Sequence, residues 1–274
     1  MNDAGPAQPS PSPTGERGVV RAVAIPSEHG GWGLTIEPAL LGLLVAPSGA
    51  GAALGLAAFV TFLARTPVKI WLVDRTRHHH RLERTRVAGW IAISEAVIIV
   101  GLVALASLTA SGAFWIPLVI ASPLVAVQLG FDARSRSRRL LPELAGAIAI
   151  SAVVGAIVLA GGGAGTLAAA LWLIVAARVI ASIPFVRLHV WRLHGRSARP
   201  ATALAAQVIA VATAAVAAVL DRQVLAGTGT IVAVAVYQAV AVRRKPWSAR
   251  ALGIEQTIVG VTVVIVTALG VAVA

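Results

Sequence analysis

Residues 142–187 read PELAGAIAISAVVGAIVLAGGGAGTLAAALWLIVAARVIASIPFVR, which is two long apolar runs joined by a short glycine-rich turn. The runs, residues 142–160 and 165–185, each approach the roughly 20 apolar residues that an α-helix needs to cross the hydrocarbon core of a bilayer. A connection this short places consecutive helices side by side in opposite directions. We therefore expect an antiparallel pair of transmembrane helices here.

The same pattern repeats along the chain, of which 58% is hydrophobic and 12% is charged. A soluble domain carries about 25% charged residues, so this polar fraction is too small to cover a globular protein. The sequence predicts an all-α, polytopic transmembrane bundle of about nine spans. The predicted spans are residues 28–46, 49–65, 88–110, 113–131, 142–160, 165–185, 201–220, 223–242 and 254–274.

Basic residues alternate along the gaps between these runs. All but one of the 23 lysines and arginines lie in the N-terminal segment or in, or near the ends of, alternate gaps, and the exception is Arg222. Multi-pass proteins retain Lys and Arg in their cytoplasmic loops, so the N-terminus is predicted in the cytoplasm and the C-terminus outside. The partners expected for the basic loops are anionic lipid head groups rather than nucleic acid, despite the net charge of +12.

The segment before the first span, residues 1–24, is rich in proline, and its first twenty residues contain no apolar core. That composition argues against a cleavable signal peptide and predicts a disordered cytoplasmic tail. Residues 25–274 are then expected to form a single transmembrane helical domain. The abundance of alanine and arginine hints at a GC-rich bacterial genome, so the expected location is a bacterial inner membrane.

Charged side chains within the apolar runs are candidates for a site, because the hydrocarbon core makes them costly to retain. Glu37, Glu95 and Arg178 lie inside the predicted spans, and Glu37 is the deepest. Arg178 stays ionised at any depth and needs water or a carboxylate, for which Glu37 and Glu95 are the candidates. The pattern predicts a polar cavity that opens to the cytoplasm, whereas the alternative is that such groups reach up to the head groups.

The densest cluster of special residues is IPSEHGGWG, residues 25–33, followed by Glu37. Glu28 and His29 can exchange protons or hold a cation, and Trp32 suits a membrane interface. An ordinary interfacial anchor is the alternative, although an anchor needs neither the deeper carboxylate nor the glycines. In an enzyme, we expect Glu28, His29 and Glu37 to supply acid–base or cation-binding groups.

The predicted ligand of the polar cavity is an anion. Arg65 and Lys69 flank the mouth of the second span, and with Arg178 they would hold an anionic substrate or head group. Glu95 is a further candidate for the binding site. Asp74 is the candidate metal ligand, although the sequence assigns no cofactor.

Three motifs carry a resemblance to a known family. The opening PSEHGGW (residues 26–32), RTPVK (residues 65–69) and the later Pro142–Glu143 pair resemble the YwiC-like family of bacterial membrane proteins. That resemblance implies a multi-pass membrane protein and no particular reaction. The predicted architecture is also similar to that of UbiA-type intramembrane prenyltransferases, which bind a prenyl diphosphate through Mg²⁺ held by aspartate-rich loops.

The acidic motifs of those enzymes are incomplete here. The loop after the second span offers only Asp74 and Glu83, and residues 187–199, after the sixth span, contain no acid. Mg²⁺ usually requires one or two carboxylates besides phosphate and water. Two hypotheses therefore stay open, with enzymatic activity undecided: a divergent UbiA-like transferase for an anionic or isoprenoid ligand, or a transporter or lipid- or cofactor-binding accessory protein.

Overall fold

The structure is a computed structural model that describes Val23 and residues 29–77, 82–136, 138–244 and 248–274. Within these ranges the chain forms α-helices and no strand, as the apolar runs predict. Each predicted span overlaps one helix, so the all-α prediction is confirmed. The helices are α1 His29–Val45, α2 Gly49–Arg77, α3 Leu82–Thr109, α4 Trp115–Ala133, α5 Leu140–Ala160, α6 Gly165–Leu193, α7 Ala201–Leu220, α8 Leu225–Ala241 and α9 Ala249–Val273, with a 3₁₀ turn at Arg222–Val224 before α8.

Eight helices of the described ranges are long and apolar enough to cross a membrane, and α1 is shorter. The 17 residues of α1 rise about 26 Å at 1.5 Å per residue, slightly less than the roughly 30 Å of a hydrocarbon core. The protein is therefore a multi-pass integral membrane protein with at least these spanning helices and one shorter apolar helix.

Several helices extend beyond the apolar runs that predicted them. α2 continues to Arg77 and α6 to Leu193, while α3 already begins at Leu82. Charged side chains such as Arg, Lys and Glu are good helix formers, so helical structure continues where hydropathy falls. Asp74, which the sequence places in a loop, consequently lies in the last turns of α2.

The short connections between helices meet at one end of the bundle. The Ser111 backbone N–H donates to the Ala160 carbonyl at 2.9 Å, which links the α3–α4 and α5–α6 connections. The Thr166 hydroxyl donates to Asp221 at 3.1 Å, which links the start of α6 to the α7–α8 connection. We call this the short-loop end.

The basic connections meet at the opposite end, here called the basic end. Arg187 near the end of α6 donates to the Arg138 carbonyl at 3.0 Å, and Arg192 donates to the Val242 carbonyl after α8. The predicted alternation of loops thus corresponds to two physical ends of the bundle. That the basic end faces the cytoplasm stays a prediction from the distribution of charge.

The centre of the bundle is formed by α5 and α6. In the apolar 18-residue stretch of each helix, 67% of the residues are buried in α5 and in α6, against 6% in α3. α1 packs mainly against α5, α9 and α2, and α6 packs against α5, α7 and α8. α3 packs chiefly against α2 at the edge, so most of its apolar side chains face lipid. The middle of α6 and one face of α1 are therefore internal, while α3 is peripheral.

Close packing of α5 against the first helical hairpin depends on two glycines. A Cβ added at Gly42 of α1 or at Gly51 of α2 would lie 2.8 Å from side-chain atoms of Ile157. Ile157 is fully buried between them. Small residues at such positions let helix backbones approach closely in lipid, where association relies on van der Waals contact.

Candidate functional site

An ion pair joins α1 and α6 inside the bundle. Arg178, near the middle of α6, is 2% exposed, and Glu37, near the middle of α1, is 7% exposed. The Arg178 Nη2 atom lies 3.5 Å from Glu37 Oε1. Of the two carboxylates that the sequence offers as partners of Arg178, the fold brings Glu37 to it.

The remaining Arg178 donors bind α9 and the helix of Arg178 itself. Nη2 donates to the Gln256 backbone carbonyl at 2.6 Å, and Nη1 lies 3.4 Å from Gln256 Oε1. Nη1 also donates to the Ser182 hydroxyl one turn along α6. A carbonyl has two lone pairs, so the Gln256 oxygen can accept this bond in addition to a helical one. The guanidinium thus connects three helices, α1, α6 and α9.

Space for the Glu37 carboxyl is provided by a glycine on α9. A Cβ built at Gly260 would overlap Glu37 Oε1, and it would lie 2.9 Å from Oε2. On α1 itself, a Cβ at Gly33 would lie 3.5 Å from Oε1. Any side chain at position 260 would therefore displace the carboxylate from Arg178.

Burial makes this cluster energetically demanding. A charged side chain in the middle of a bilayer is costly, and such groups generally pair with one another and mark functional sites. A buried ion pair adds little stability compared with apolar packing, whereas removal of one partner is strongly destabilising. The Glu37–Arg178 cluster is therefore a stronger candidate for a functional site than for a structural brace.

Glu95 lies apart from this cluster. It is on the peripheral helix α3, and among the described residues it forms no ion pair with Arg178. Its Oε2 atom is buried and has no hydrogen-bond partner within the described chain. The fold thus brings together two of the three charged residues that the sequence places inside spans.

The second group of predicted residues meets at the basic end. Arg65 Nε of α2 lies 3.4 Å from Asp132 Oδ2 at the end of α4, and Asp132 is 1% exposed. Sequence reasoning did not single out Asp132, because it stands at the boundary of an apolar run. The signal that could have identified it is its position two residues before the arginine-rich segment 134–139.

A basic cleft opens beside that pair. It is lined by Lys69 of α2 and by residues of the α4–α5 connection, namely Ser135, Arg136, Arg138 and Arg139. Its lining contains cations and one hydroxyl, and no carboxylate. The neighbouring Arg187 pairs instead with Glu143, at 2.7 Å between Nη1 and Oε2. This arrangement is suited to an anion.

Asp74 lies apart from this cleft, and residues 25–28 of the opening motif lie outside the described residues. Asp74 accepts a hydrogen bond from the Thr85 hydroxyl, which ties the end of α2 to the start of α3. The described part of the chain contains no group of three or more His, Cys, Asp or Glu side chains that could hold a metal ion. His29 is the first residue of α1, and Glu28 lies outside the described residues.

Trp32 packs inside the first helical hairpin. Its ring lies 5.7 Å from the ring of Phe59 and 5.2 Å from the ring of Phe62, both on α2. Aromatic pairs at this spacing contribute roughly 0.5–1.5 kcal/mol beyond the area they bury. The tryptophan of the opening motif therefore joins α1 to α2.

Comparison with known proteins identifies one family. The pattern of the YwiC-like protein family matches residues 25–158, a segment that runs from the opening motif to the end of α5 and includes Glu37, Arg65 and Lys69. No curated protein and no solved structure matches the chain. Residues 25–158 of this membrane protein are therefore a YwiC-like sequence, as the PSEHGGW and RTPVK motifs predict.

Proposed function

We propose that this protein resides in a bacterial inner membrane and binds a phosphate-bearing amphiphile at the cytoplasmic surface of its basic end. The observation that carries the proposal is the cleft of Lys69, Arg136, Arg138 and Arg139, whose lining has no carboxylate. Arginine presents a planar fork of donors that matches a phosphate or carboxylate through two parallel hydrogen bonds. Several such forks around one opening favour a di-anionic head group.

The location of the cleft favours an amphiphile over a soluble anion. The cleft lies where α4 ends and the chain turns into α5, at the level of the basic loops. On the preceding turns of α4, Val125 and Leu129 are exposed apolar side chains. A ligand whose head group entered the cleft would leave its hydrocarbon tail beside such a surface. Isoprenoid diphosphates and anionic lipids share this chemistry.

A divergent UbiA-like transferase is the enzymatic form of this proposal. Asp74 lies on the same helix as Lys69, nearer the basic end, and would be the metal ligand. Against a metal-dependent reaction, the lining of the cleft contains no carboxylate that could hold Mg²⁺. We therefore expect ligand binding that does not require Mg²⁺, because arginine rather than a metal ion would neutralise the phosphate.

A transporter is the second candidate, and the Glu37–Arg178 pair favours it. Intramembrane carboxylates paired with arginine are typical of proton relays and organic-anion sites. Reconstituted protein would then show proton-coupled uptake of an organic anion into liposomes, and Glu37→Gln would abolish it.

The binding proposal is tested with farnesyl diphosphate on purified protein in nanodiscs. The double variant Lys69→Gln/Arg136→Gln should weaken binding at least about tenfold, since hydrogen bonds to charged groups contribute roughly 1.5–3 kcal/mol each. Affinity is measured by calorimetry with Mg²⁺ and with EDTA. Equal affinity in both conditions separates direct binding by arginine from a metal-dependent site.

The matched control is Arg222→Gln, which removes a cation at the short-loop end. It should leave the affinity unchanged, and farnesol, which lacks the diphosphate, should not compete. Binding that survives the double variant would refute the cleft as the site. Binding that requires Mg²⁺ and is lost in Asp74→Ala would replace this proposal with the transferase.

A further inference from the structure

Unsatisfied polar atoms are concentrated in one part of the bundle interior. The described residues contain seven buried side-chain N or O atoms without a hydrogen-bond partner, and most of them belong to α6–α9. These are Arg178 Nε, Gln207 Oε1, Gln238 Nε2, Glu255 Oε1 and Gln256 Nε2. The atoms include both donors and acceptors.

Internal water would suit such a set of atoms. A buried polar atom left without a partner costs about 1–3 kcal/mol, and buried polar groups in folded proteins almost always have one. Ordered internal water satisfies groups of this kind because a water molecule both donates and accepts hydrogen bonds. A ligand with a single type of polar group would satisfy only part of the set.

A narrow cleft lies between α6, α8 and α9 on the basic-end side of these atoms, with a volume of about 10 Å³, roughly that of one water molecule. Glu255 lies on its lining, and the next residue, Gln256, binds Arg178. Arg178 in turn contacts Glu37. The full lining is Phe185, His189, Tyr237, Ala241, Arg244, Leu252 and Glu255.

Between Glu37 and the short-loop end, the interior of the bundle is filled by apolar side chains. Leu41, one turn beyond Glu37 on α1, is fully buried, as are Val154 and Val158 of α5 and Ile174 of α6. These side chains belong to one hydrophobic cluster that continues toward the short-loop end. Polar groups therefore connect Glu37 to the basic end and not to the other.

We propose that water enters the bundle through this cleft and reaches the Glu37–Arg178 pair, which gives Glu37 proton exchange with one side of the membrane. The charged and titratable groups that face this path are Arg178 and His189 on α6, Tyr237 on α8, Arg244 after α8 and Glu255 on α9. The remaining charges on α2, α5 and α9, which pack on α1, lie toward the basic end: Glu143 on α5, Arg250 on α9, and Arg65, Lys69, Asp74, Arg75 and Arg77 on α2. The path is independent of the anion cleft, and a failure of farnesyl diphosphate to bind would leave it standing.

The sequence has no cysteine, so single thiols can report water access without background. Ser182→Cys places a thiol beside Arg178, and Ser151→Cys places one at the middle of α5; both serines are buried, at 4% and 0% exposure. Silver ion is the probe, and thiols that survive exposure are counted with a maleimide after denaturation. Ser182→Cys should react at least about tenfold faster, because the thiolate is the reactive form and needs water and a nearby cation.

A second pair tests the mouth of the path. Ala241→Cys lies on the cleft lining, while Ala235→Cys, on the same helix and equally buried, does not. Ala241→Cys should react at least about tenfold faster with silver. Leu252→Trp should slow the reaction of Ser182→Cys by narrowing the cleft, and Val208→Trp on the lipid face of α7 should not.

Equal rates for both matched pairs would overturn the proposal. Fast reaction of Ser182→Cys that Leu252→Trp leaves unchanged would overturn the route through this cleft. Each variant is compared only when it elutes as a single species like the parent protein, and the two pairs provide independent tests if one substitution prevents folding.

Discussion

Replacement of Arg178 by methionine, with Glu37 retained, is expected to lower the free energy of unfolding by about 3–5 kcal/mol. The substitution leaves a carboxylate inside the bundle without its cation and removes the hydrogen bonds to Gln256 and Ser182. The loss of stability should appear as reduced resistance of purified protein to heat and to denaturing detergent. In a 274-residue membrane protein this is a large effect.

The double variant Glu37→Leu/Arg178→Met should recover most of that loss, because apolar residues of similar volume often replace a buried ion pair without cost. Arg187→Met is the matched control at the basic end. Its pair with Glu143 is partly exposed, and such pairs contribute about 0–1 kcal/mol. If the effects of Glu37→Leu and Arg178→Met simply add, the two side chains do not act as a pair.

Substitution of Gly260 by alanine is expected to destabilise the protein by about 1–3 kcal/mol, the usual cost of overpacking a filled interior. The added methyl group would occupy the position of the Glu37 carboxyl and force that group away from Arg178. Thermal unfolding of the purified variant measures the effect. In a helix, alanine is intrinsically more stabilising than glycine by about 1 kcal/mol. A loss of stability in Gly260→Ala therefore indicates a steric collision, whereas a gain indicates that the position has free space.

Gly253→Ala on the same helix provides the matched control. A Cβ there meets no atom within 4 Å, so this variant should be neutral or slightly more stable. In a Glu37→Ala background the cost of Gly260→Ala should disappear, since the colliding carboxyl is absent. Equal stability of Gly260→Ala and Gly253→Ala in the parent protein would contradict the packing of Glu37 against α9.

The sequence predicted the helices well because hydropathy and charge report depth in the membrane directly. Every apolar run became a helix, and the basic gaps meet at one end. The helices α2 and α6 continue beyond the predicted spans, because charged residues such as Arg77 and Arg192 continue a helix after the apolar run stops. Hydropathy marks the apolar run, whereas backbone hydrogen bonding determines where the helix ends.

The sequence did not predict which helices pack against one another. Glu37 and Glu95 both had sufficient depth to pair with Arg178, and only packing shows that α1 is internal while α3 is peripheral. Gln256 contacts Arg178 largely through its backbone carbonyl, a contact that no side-chain pattern reveals. Trp32, whose residue type suits a membrane interface, packs against Phe59 and Phe62. The sequence did not indicate these partners, because a pattern of apolar residues does not specify the neighbouring helix.

The separation of Glu37 and Arg178 along the chain has a consequence for biogenesis. During synthesis α1 reaches the membrane more than a hundred residues before α6 exists, so its carboxylate enters lipid with no counter-ion. A short helix with an uncompensated charge inserts poorly on its own. We expect α1 to stay loosely inserted until α6 and α9 are made, and a chain that ends after α5 to retain an exchangeable first helix. The helices from α6 onward would then complete the insertion of the first helix.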